Sequence, residues 1–151
     1  MSLFNGLNIS ASGLTANRMR MDVVSSNIAN ANTTRAQLVN GEWVPYRRKS
    51  VELTQSGNSP FAHQLQSAVQ KESAKVSGVT VTRIRDDQTP FNLSYDPANP
   101  DADENGYVQL PNVDPIKEMV DLMSATRSYE ANVTALNASK NMFMKALEIG
   151  K

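Results

Sequence analysis

The spacing of apolar residues near the C-terminus predicts a long helix over residues 114–149. Asp114 and Pro115 suit the N-cap and the first helical position, and the next Gly or Pro is Gly150. Between them, apolar positions recur at alternating steps of three and four, which is the heptad spacing of a coiled-coil seam. The seam consists of Met119, Leu122, Thr126, Tyr129, Val133, Leu136, Lys140, Phe143 and Leu147. Further apolar residues widen this surface at both ends, which favours contacts with other chains over a helix lying across its own small domain.

The N-terminal segment predicts a second long helix, from Leu3 to Ala31. One row of its seam, seven residues apart, is Leu7, Leu14, Met21 and Ile28, and the complementary row is Leu3, Ser10, Asn17 and Val24. Gly6 and Gly13 each cost about 1 kcal/mol relative to Ala in an exposed helix, so we expect this helix to be stable only when it is packed. The pattern leaves open whether the two seams pair within one chain or between chains.

The middle of the chain predicts short strands. Asn40-Gly41, between the runs 37–39 and 42–44, is the strongest short-range hairpin signal. We expect its second strand to continue past Pro45 to residue 53. A turn at 56–60 precedes an ambiguous segment at 61–69. Alternating Thr and Val predict a strand at 79–85, a short extended piece follows at 91–95, and the proline-containing segment 95–115 is expected to be irregular.

These elements predict an α+β fold in three parts. Residues 1–34 form an N-terminal coiled-coil helix, and residues 114–151 form a C-terminal coiled-coil helix that packs against it as an inner domain. Residues 35–113 form a small β-hairpin-rich insert between the two helices, with an irregular return segment.

Composition excludes several classes of protein. Fifteen Lys and Arg balance fifteen Asp and Glu, so no overall basic field attracts nucleic acid or an anionic membrane. The absence of cysteine excludes disulfides, thiolate metal sites and cysteine nucleophiles. No stretch approaches the roughly 20 apolar residues that span a bilayer, and no secretory signal is present at the N-terminus. We expect export, if it occurs, to proceed without a cleaved signal peptide and without membrane insertion.

Candidate chemical sites in the sequence are incomplete. Asp101, Asp103, Asn105 and Gly106 match the first half of an EF-hand loop, but the twelfth position is Asn112 instead of a bidentate Glu. A rigid acidic surface loop is therefore expected there.

Two further candidates receive similar interpretations. His63 is the single histidine, which excludes a His-based metal site or a catalytic triad within one chain. The Arg47-Arg48-Lys49 cluster suits phosphates, but a solvated strand edge is favoured. We predict no enzymatic activity, no metal, no cofactor and no nucleic-acid partner.

Both ends of the chain resemble the axial proteins of the bacterial flagellum. Residues 10–14 and 25–33 resemble the signature that opens these proteins, and residues 118–120 and 125–132 resemble the motif that closes them. The matching motif residues are Asn27, Ala29, Asn30, Asn32, Thr33, Glu118, Met119, Arg127, Tyr129, Glu130 and Asn132. The short insert and the run from Tyr95 to Asp114 resemble the proximal rod members of the family. Thr34-Arg35-Ala36 replaces the Gly-aromatic-Lys turn of many axial proteins, which also fits a proximal rod member.

The resemblance implies a structural subunit of the flagellar basal body. Such a subunit leaves through the type III export machinery and polymerises helically, with itself and other rod proteins, into a hollow drive shaft across the periplasm. The shaft transmits motor torque and encloses the export channel. The assembly interface is then expected at Leu7, Leu14, Met21, Val24, Ile28, Met119, Leu122, Tyr129, Val133, Leu136, Phe143 and Leu147. The alternative is a non-polymerising coiled-coil binding module or export adaptor.

Overall fold

The computed structural model describes residues 4–56 and 77–149. In chain order, the elements are α1 (Asn5–Ala29), β1 (Gln37–Val39), β2 (Glu42–Val44), β3 (Lys49–Gln55), β4 (Val79–Asp86), β5 (Asn92–Tyr95), β6 (Tyr107–Leu110) and α2 (Pro115–Ile149). The predicted α+β class is confirmed. Residues 57–60 of the predicted turn, the ambiguous segment 61–69 with His63, and Gly150 lie outside the described residues.

Both predicted helices are present, with ends close to those expected. α2 begins as its sequence indicates, because the Asp114 Oδ1 accepts hydrogen bonds from the backbone N–H of Ile116 at 3.0 Å and of Lys117 at 3.4 Å. Pro115 lacks an N–H, so its place at the first helical position sacrifices no hydrogen bond. α1 ends at Ala29, two residues before the predicted limit, and the chain then turns through the Asn- and Thr-rich segment.

β1 and β2 pair antiparallel across the predicted turn, with Leu38 opposite Trp43. Asn40 and Gly41 have φ angles of 54° and 91°, and two positive φ values are what a type I′ hairpin turn requires. The expectation that β2 continues past Pro45 is wrong. The strand ends at Val44, and the backbone N–H of Tyr46 instead donates to the carbonyl of Thr33 at 3.1 Å.

β3 and β4 form a separate two-stranded antiparallel sheet. At one end of the ladder, the N–H of Ser56 donates to the carbonyl of Gly78 at 2.8 Å. On an exposed face, the hydroxyls of Thr54 and Thr82 lie 2.7 Å apart. The strand predicted at 79–85 is confirmed and runs one residue further, to Asp86.

The expectation of an irregular segment between Tyr95 and Pro115 is wrong at Tyr107–Leu110, which is strand β6. It pairs antiparallel with β5, with Tyr95 opposite Tyr107 and Asn92 opposite Leu110. The prolines flank β6 and do not interrupt it, so its backbone donors remain available for pairing. Val108 is buried, which gives the strand an inward face.

The described residues fall into two compact units. Unit one comprises residues 4–19, 52–56, 77–83 and 125–149, and its helical segments contact each other through the stacked rings of Phe4 and Phe143, 5.7 Å apart. Unit two comprises residues 20–51 and 84–124. The buried apolar side chains of the two units are small, and apart from Tyr46 they are all Ala or Val: Ala16, Val23, Val24, Tyr46, Val108, Val113 and Ala125.

Two glycines in unit one occupy positions of close approach. A Cβ at Gly13 would lie 2.9 Å from the Oδ1 of Asn132, and a Cβ at Gly78 would lie 2.2 Å from the Ser12 hydroxyl oxygen. That hydroxyl is itself held in place, since it donates to the carbonyl of Ile9 at 2.7 Å and accepts from the N–H of Val79 at 3.1 Å. Gly78 thus allows the start of β4 to contact α1 directly.

We expect Gly78→Ala to lower the free energy of unfolding by about 1–3 kcal/mol, because the added methyl group overpacks the contact with Ser12. Urea denaturation followed by circular dichroism measures the change. In a Ser12→Gly background the obstructing atoms are gone, and the same Gly78→Ala change is expected to cost much less. An equal cost in both backgrounds would refute the steric explanation.

Candidate functional site

The most deeply buried polar groups in the described residues form a junction in unit two. Asn27, near the end of α1, and Glu118, in the first turn of α2, have side chains with 0% exposure. The Asn27 Nδ2 donates to the Glu118 Oε2 at 2.9 Å. This contact joins two residues that the sequence assigned to the opening and closing family motifs, 91 positions apart.

Asn27 uses its full hydrogen-bonding capacity. Its Nδ2 also donates to the carbonyl of Lys49 at 2.8 Å, and its Oδ1 accepts from the N–H of Lys49 at 2.9 Å and from the Tyr46 hydroxyl at 3.0 Å. Two donors and two acceptors are therefore satisfied, which is all that a primary amide offers. Asp lacks the donors, so its shape alone would not replace Asn27.

Arg48 supplies the cation that the buried carboxylate requires. Its Nε donates to the Glu118 Oε1 at 2.6 Å, and its other nitrogens lie 3.4 Å from Asp121 and 3.7 Å from Asp87. A buried carboxylate is costly unless it is paired and hydrogen-bonded, and Glu118 is both. The guanidinium is only 19% exposed, so the expected solvated strand edge is wrong for Arg48.

The other two cations of the cluster lie elsewhere. The Arg47 guanidinium sits 4.4 Å from the centre of the Phe91 ring and donates to the carbonyl of Asp87 at 3.3 Å. Lys49 alone of the three is exposed. The three adjacent cations therefore have three separate environments, and they do not converge on one phosphate-sized site.

Asn112 extends the junction to the loop that follows β4. Its Oδ1 accepts from the N–H of Arg48 at 2.8 Å, and its Nδ2 donates to the Thr89 hydroxyl at 2.8 Å and to the carbonyl of Asp87 at 3.2 Å. The pKa of Asp87 is lowered mainly because its carboxylate accepts the backbone N–H of Thr89, with smaller contributions from Arg48 and Lys117. In the described part of the chain, every buried polar side-chain atom has a partner.

We expect Asn27→Asp to lower the free energy of unfolding by about 3–5 kcal/mol, because it places a second carboxylate against Glu118 and removes both donors. Asn32→Asp is the matched control: Asn32 belongs to the same motif but is exposed, so its change should stay within about 0.5 kcal/mol. Chemical denaturation of both variants decides the matter. Equal stabilities would mean that the junction does not carry the stability assigned to it.

The acidic loop has a partner within the chain. Asp101 accepts hydrogen bonds from the Arg35 guanidinium and from the Thr34 hydroxyl, the latter at 2.7 Å. These two donors hold the pKa of Asp101 below its usual range. Across residues 4–56 and 77–149, no group of three or more potential ligands is arranged to hold a metal ion.

The lowered pKa of Asp101 predicts an acid-dependent contribution to stability. The contribution is present above the ordinary value of 3.8 and is lost as the pH falls through the lower native pKa. Asp101→Asn should therefore shift the urea midpoint downward at pH 7, and its difference from the wild type should vanish at pH values below 3.8. Glu104→Gln, in the same loop, is the control. A difference that persists unchanged into strong acid would contradict the role of the Arg35–Asp101 pair.

The remaining motif residues have mixed environments. The Asn30 Nδ2 donates to the carbonyl of Ser26 at 2.9 Å, and the Asn132 Nδ2 donates to the carbonyl of Ser128 at 2.8 Å. Arg127 and Glu130 form an exposed ion pair at 3.0 Å. Tyr129 and Thr33 are half-buried, whereas Ala29, Asn32 and Met119 are exposed.

Sequence reasoning missed Tyr46, Arg48 and Asn112. One signal was available: Glu118 lies four and seven residues before Leu122 and Ala125, on the inward face of α2. A carboxylate on that face needs a buried cation.

The predicted seam residues differ in exposure within one chain. Val24 is buried, and Met119 and Leu147 are exposed. The half-buried members are Leu7, Leu14, Met21, Ile28, Leu122, Tyr129, Val133, Leu136 and Phe143. Their part in contacts between chains stays a prediction.

Large apolar side chains are mostly on the surface. Of the described residues, eighteen large hydrophobic side chains are exposed, against seven buried apolar ones. Neither described helix is long and apolar enough to cross a membrane. Extended exposed apolar surface of this kind marks interaction sites in soluble proteins.

Comparison with known proteins assigns this architecture to a class. A family model described as "Flagella basal body rod protein" matches residues 7–37, and one described as "Flagellar basal body rod FlgEFG protein C-terminal" matches residues 104–149. The fold and the two motif-bearing helices are therefore those of flagellar basal-body rod proteins.

Full-length relatives define the branch. Flagellar basal-body rod protein FlgC of Bacillus subtilis (strain 168) is 63% identical over 151 residues, with 100% of both chains covered. FlgC of Borreliella burgdorferi is 43% identical over 99% of this chain and 98% of its own, and FlgC of Escherichia coli O6:H1 is 40% identical over 100% of both. The chain belongs to the FlgC family of flagellar basal-body rod proteins.

Proposed function

We propose that the chain is a structural subunit of the proximal rod of the flagellar basal body. It polymerises helically, with itself and with other rod proteins, into a hollow axial shaft that transmits motor torque and encloses the export channel. Its role is mechanical and not catalytic. The type III export machinery delivers it, without a cleaved signal peptide, to a rod that crosses the periplasm.

Family membership over the full length of the chain carries this proposal. The exposed apolar surface of α2 supports it, because a monomer rarely leaves that much apolar area in water. In the assembled rod, residues 1–34 and 114–151 pair as a coiled-coil inner domain. The hairpin-rich insert of residues 35–113 makes the outer contacts.

The polar junction suits a part that carries load. Hydrogen bonds and ion pairs are directional, so a satisfied network resists small displacements of its members. Asn27, Arg48 and Asn112 connect α1, the start of α2 and the loops between the strands within unit two. Torque applied to the insert is thereby passed to the helical segments of that unit through fixed bonds.

Leu136→Asp tests the seam. Leu136 is half-buried on the inward face of α2, and a carboxylate in a desolvated helix–helix interface lacks a partner. We expect the variant to be produced but absent from isolated basal bodies, with swimming in soft agar abolished. Asn137→Asp places the same charge on the neighbouring exposed position and should leave swimming unchanged.

Basal-body content separates the possible results. Swimming cells that carry Leu136→Asp in their rods would disprove the interface assignment. Basal bodies that are complete without any copy of the wild-type chain would disprove the proposed function itself.

A further inference from the structure

The first two turns of α2 carry an exposed apolar surface, which we call the N-terminal stripe. It comprises Ile116, Met119, Val120 and Met123, at the i, i+3, i+4 and i+7 spacing that places side chains on one helical face. Their exposures lie between 54% and 76%. Glu118 points away from this stripe, into the buried junction, so the N-terminal stripe is the outward face of a helix that is anchored on its other side.

The last turns of α2 carry a second exposed surface, the C-terminal stripe. It comprises Met142, Ala146 and Ile149, at positions i, i+4 and i+7. Met142 is 67% exposed and Ile149 is 86% exposed, and Ala146 is also exposed. Ala146 is small enough to admit a larger side chain from a neighbouring helix, so the two stripes differ in relief as well as in position.

The surroundings of the two stripes have opposite charge. Unit two, which carries the N-terminal stripe, has eleven Asp or Glu against seven Lys or Arg. The described residues of unit one, which carries the C-terminal stripe, have five Lys or Arg against three Glu. Asp114 and Asp121 lie beside the first stripe, and Lys140 and Lys145 lie near the second. Opposite net charge favours contact between unlike units of two copies and disfavours contact between like units.

Helix dipoles favour the same pairing. The N-terminal end of a helix carries a partial positive charge and the C-terminal end a partial negative charge. When two parallel helices overlap only at their ends, the N-terminal turns of one lie beside the C-terminal turns of the other. A continuous helix cannot bring its own two ends together, so the contact requires a second copy.

We propose that the N-terminal stripe of α2 in one copy binds the C-terminal stripe of α2 in a second copy, with the two helices parallel and overlapping at their ends. The contact is heterologous: each copy offers one stripe to the copy before it and the other stripe to the copy after it. Because neither stripe pairs with itself, the contact leaves a free stripe at each end and permits further addition. This inference rests on the proposed function and specifies how copies meet.

The absence of cysteine makes the contact directly testable. Cysteine replaces Met119 or Met123 in the N-terminal stripe, together with Met142 or Ile149 in the C-terminal stripe, which gives four double variants. Isolated basal bodies are oxidised or treated with a short bismaleimide and then run on denaturing gels. We expect at least one double variant to yield a ladder of dimers and larger multiples, at least tenfold above the control pair Thr134→Cys with Met142→Cys. Thr134 is exposed near the middle of α2, outside both stripes.

Single variants determine the symmetry. Cells that produce only Met123→Cys, or only Met142→Cys, should give no cross-linked dimers, whereas cells that produce both as separate chains should give dimers. Cross-linking by Met123→Cys alone would reveal a twofold contact and overturn the proposal. Cross-linking only to a different rod protein would also overturn it.

Incorporation separates this inference from the proposed function. If the cysteine variants enter the rod and all four pairs give no ladder, the head-to-tail contact is wrong and the rod assignment stands. If the double variants are excluded from the rod, sedimentation of purified full-length chain replaces cross-linking. Val120→Asp and Ile149→Asp should each sediment as monomers alone, and their equimolar mixture should contain dimers that decrease with added salt. A mixture that remains monomeric at concentrations where the wild type associates would overturn the proposal.

Discussion

The burial of one carboxylate constrains much of unit two. Glu118 is fully enclosed at the start of α2, and an ionised carboxylate in that position is tolerable only with a cation and hydrogen-bond donors around it. Arg48 and Asn27 meet that requirement, and each has further obligations of its own. Asn27 ties itself to the backbone of Lys49 on both sides, and the backbone of Arg48 is held by Asn112. Displacing any one of these residues therefore exposes the unmet needs of the others.

This arrangement explains why polar residues take the place of large apolar ones. The buried apolar side chains of the described residues are almost all Ala and Val, so dispersion and hydrophobic burial within each unit are modest. Satisfied polar groups specify geometry more strictly than apolar contacts, because their strength depends on direction as well as distance. A subunit that must keep one shape under load benefits from that strictness, while its larger apolar side chains remain available to neighbours.

Local sequence rules predicted the elements that depend on local physics. The heptad spacing and the Asp114-Pro115 start located both helices, and Asn40-Gly41 located the β1–β2 turn, because these signals act over a few residues. Strand β6 was missed, since its prolines were taken to disrupt the segment when they only border it. The junction was only partly predictable. Asn27 and Glu118 stood out through resemblance, but the contribution of Arg48 depends on a tertiary contact 70 residues away, which no local pattern encodes.

The exposed methionines and isoleucines of α2 give contacts between copies a characteristic temperature dependence. Near room temperature, the burial of apolar surface is driven by the entropy of water, and its favourable free energy shrinks on cooling. The ion pairs and hydrogen bonds of the junction do not share this dependence. A rod held together through such stripes would consequently loosen between subunits in the cold while each unit keeps its internal geometry, so that chilling separates the pieces without unfolding them.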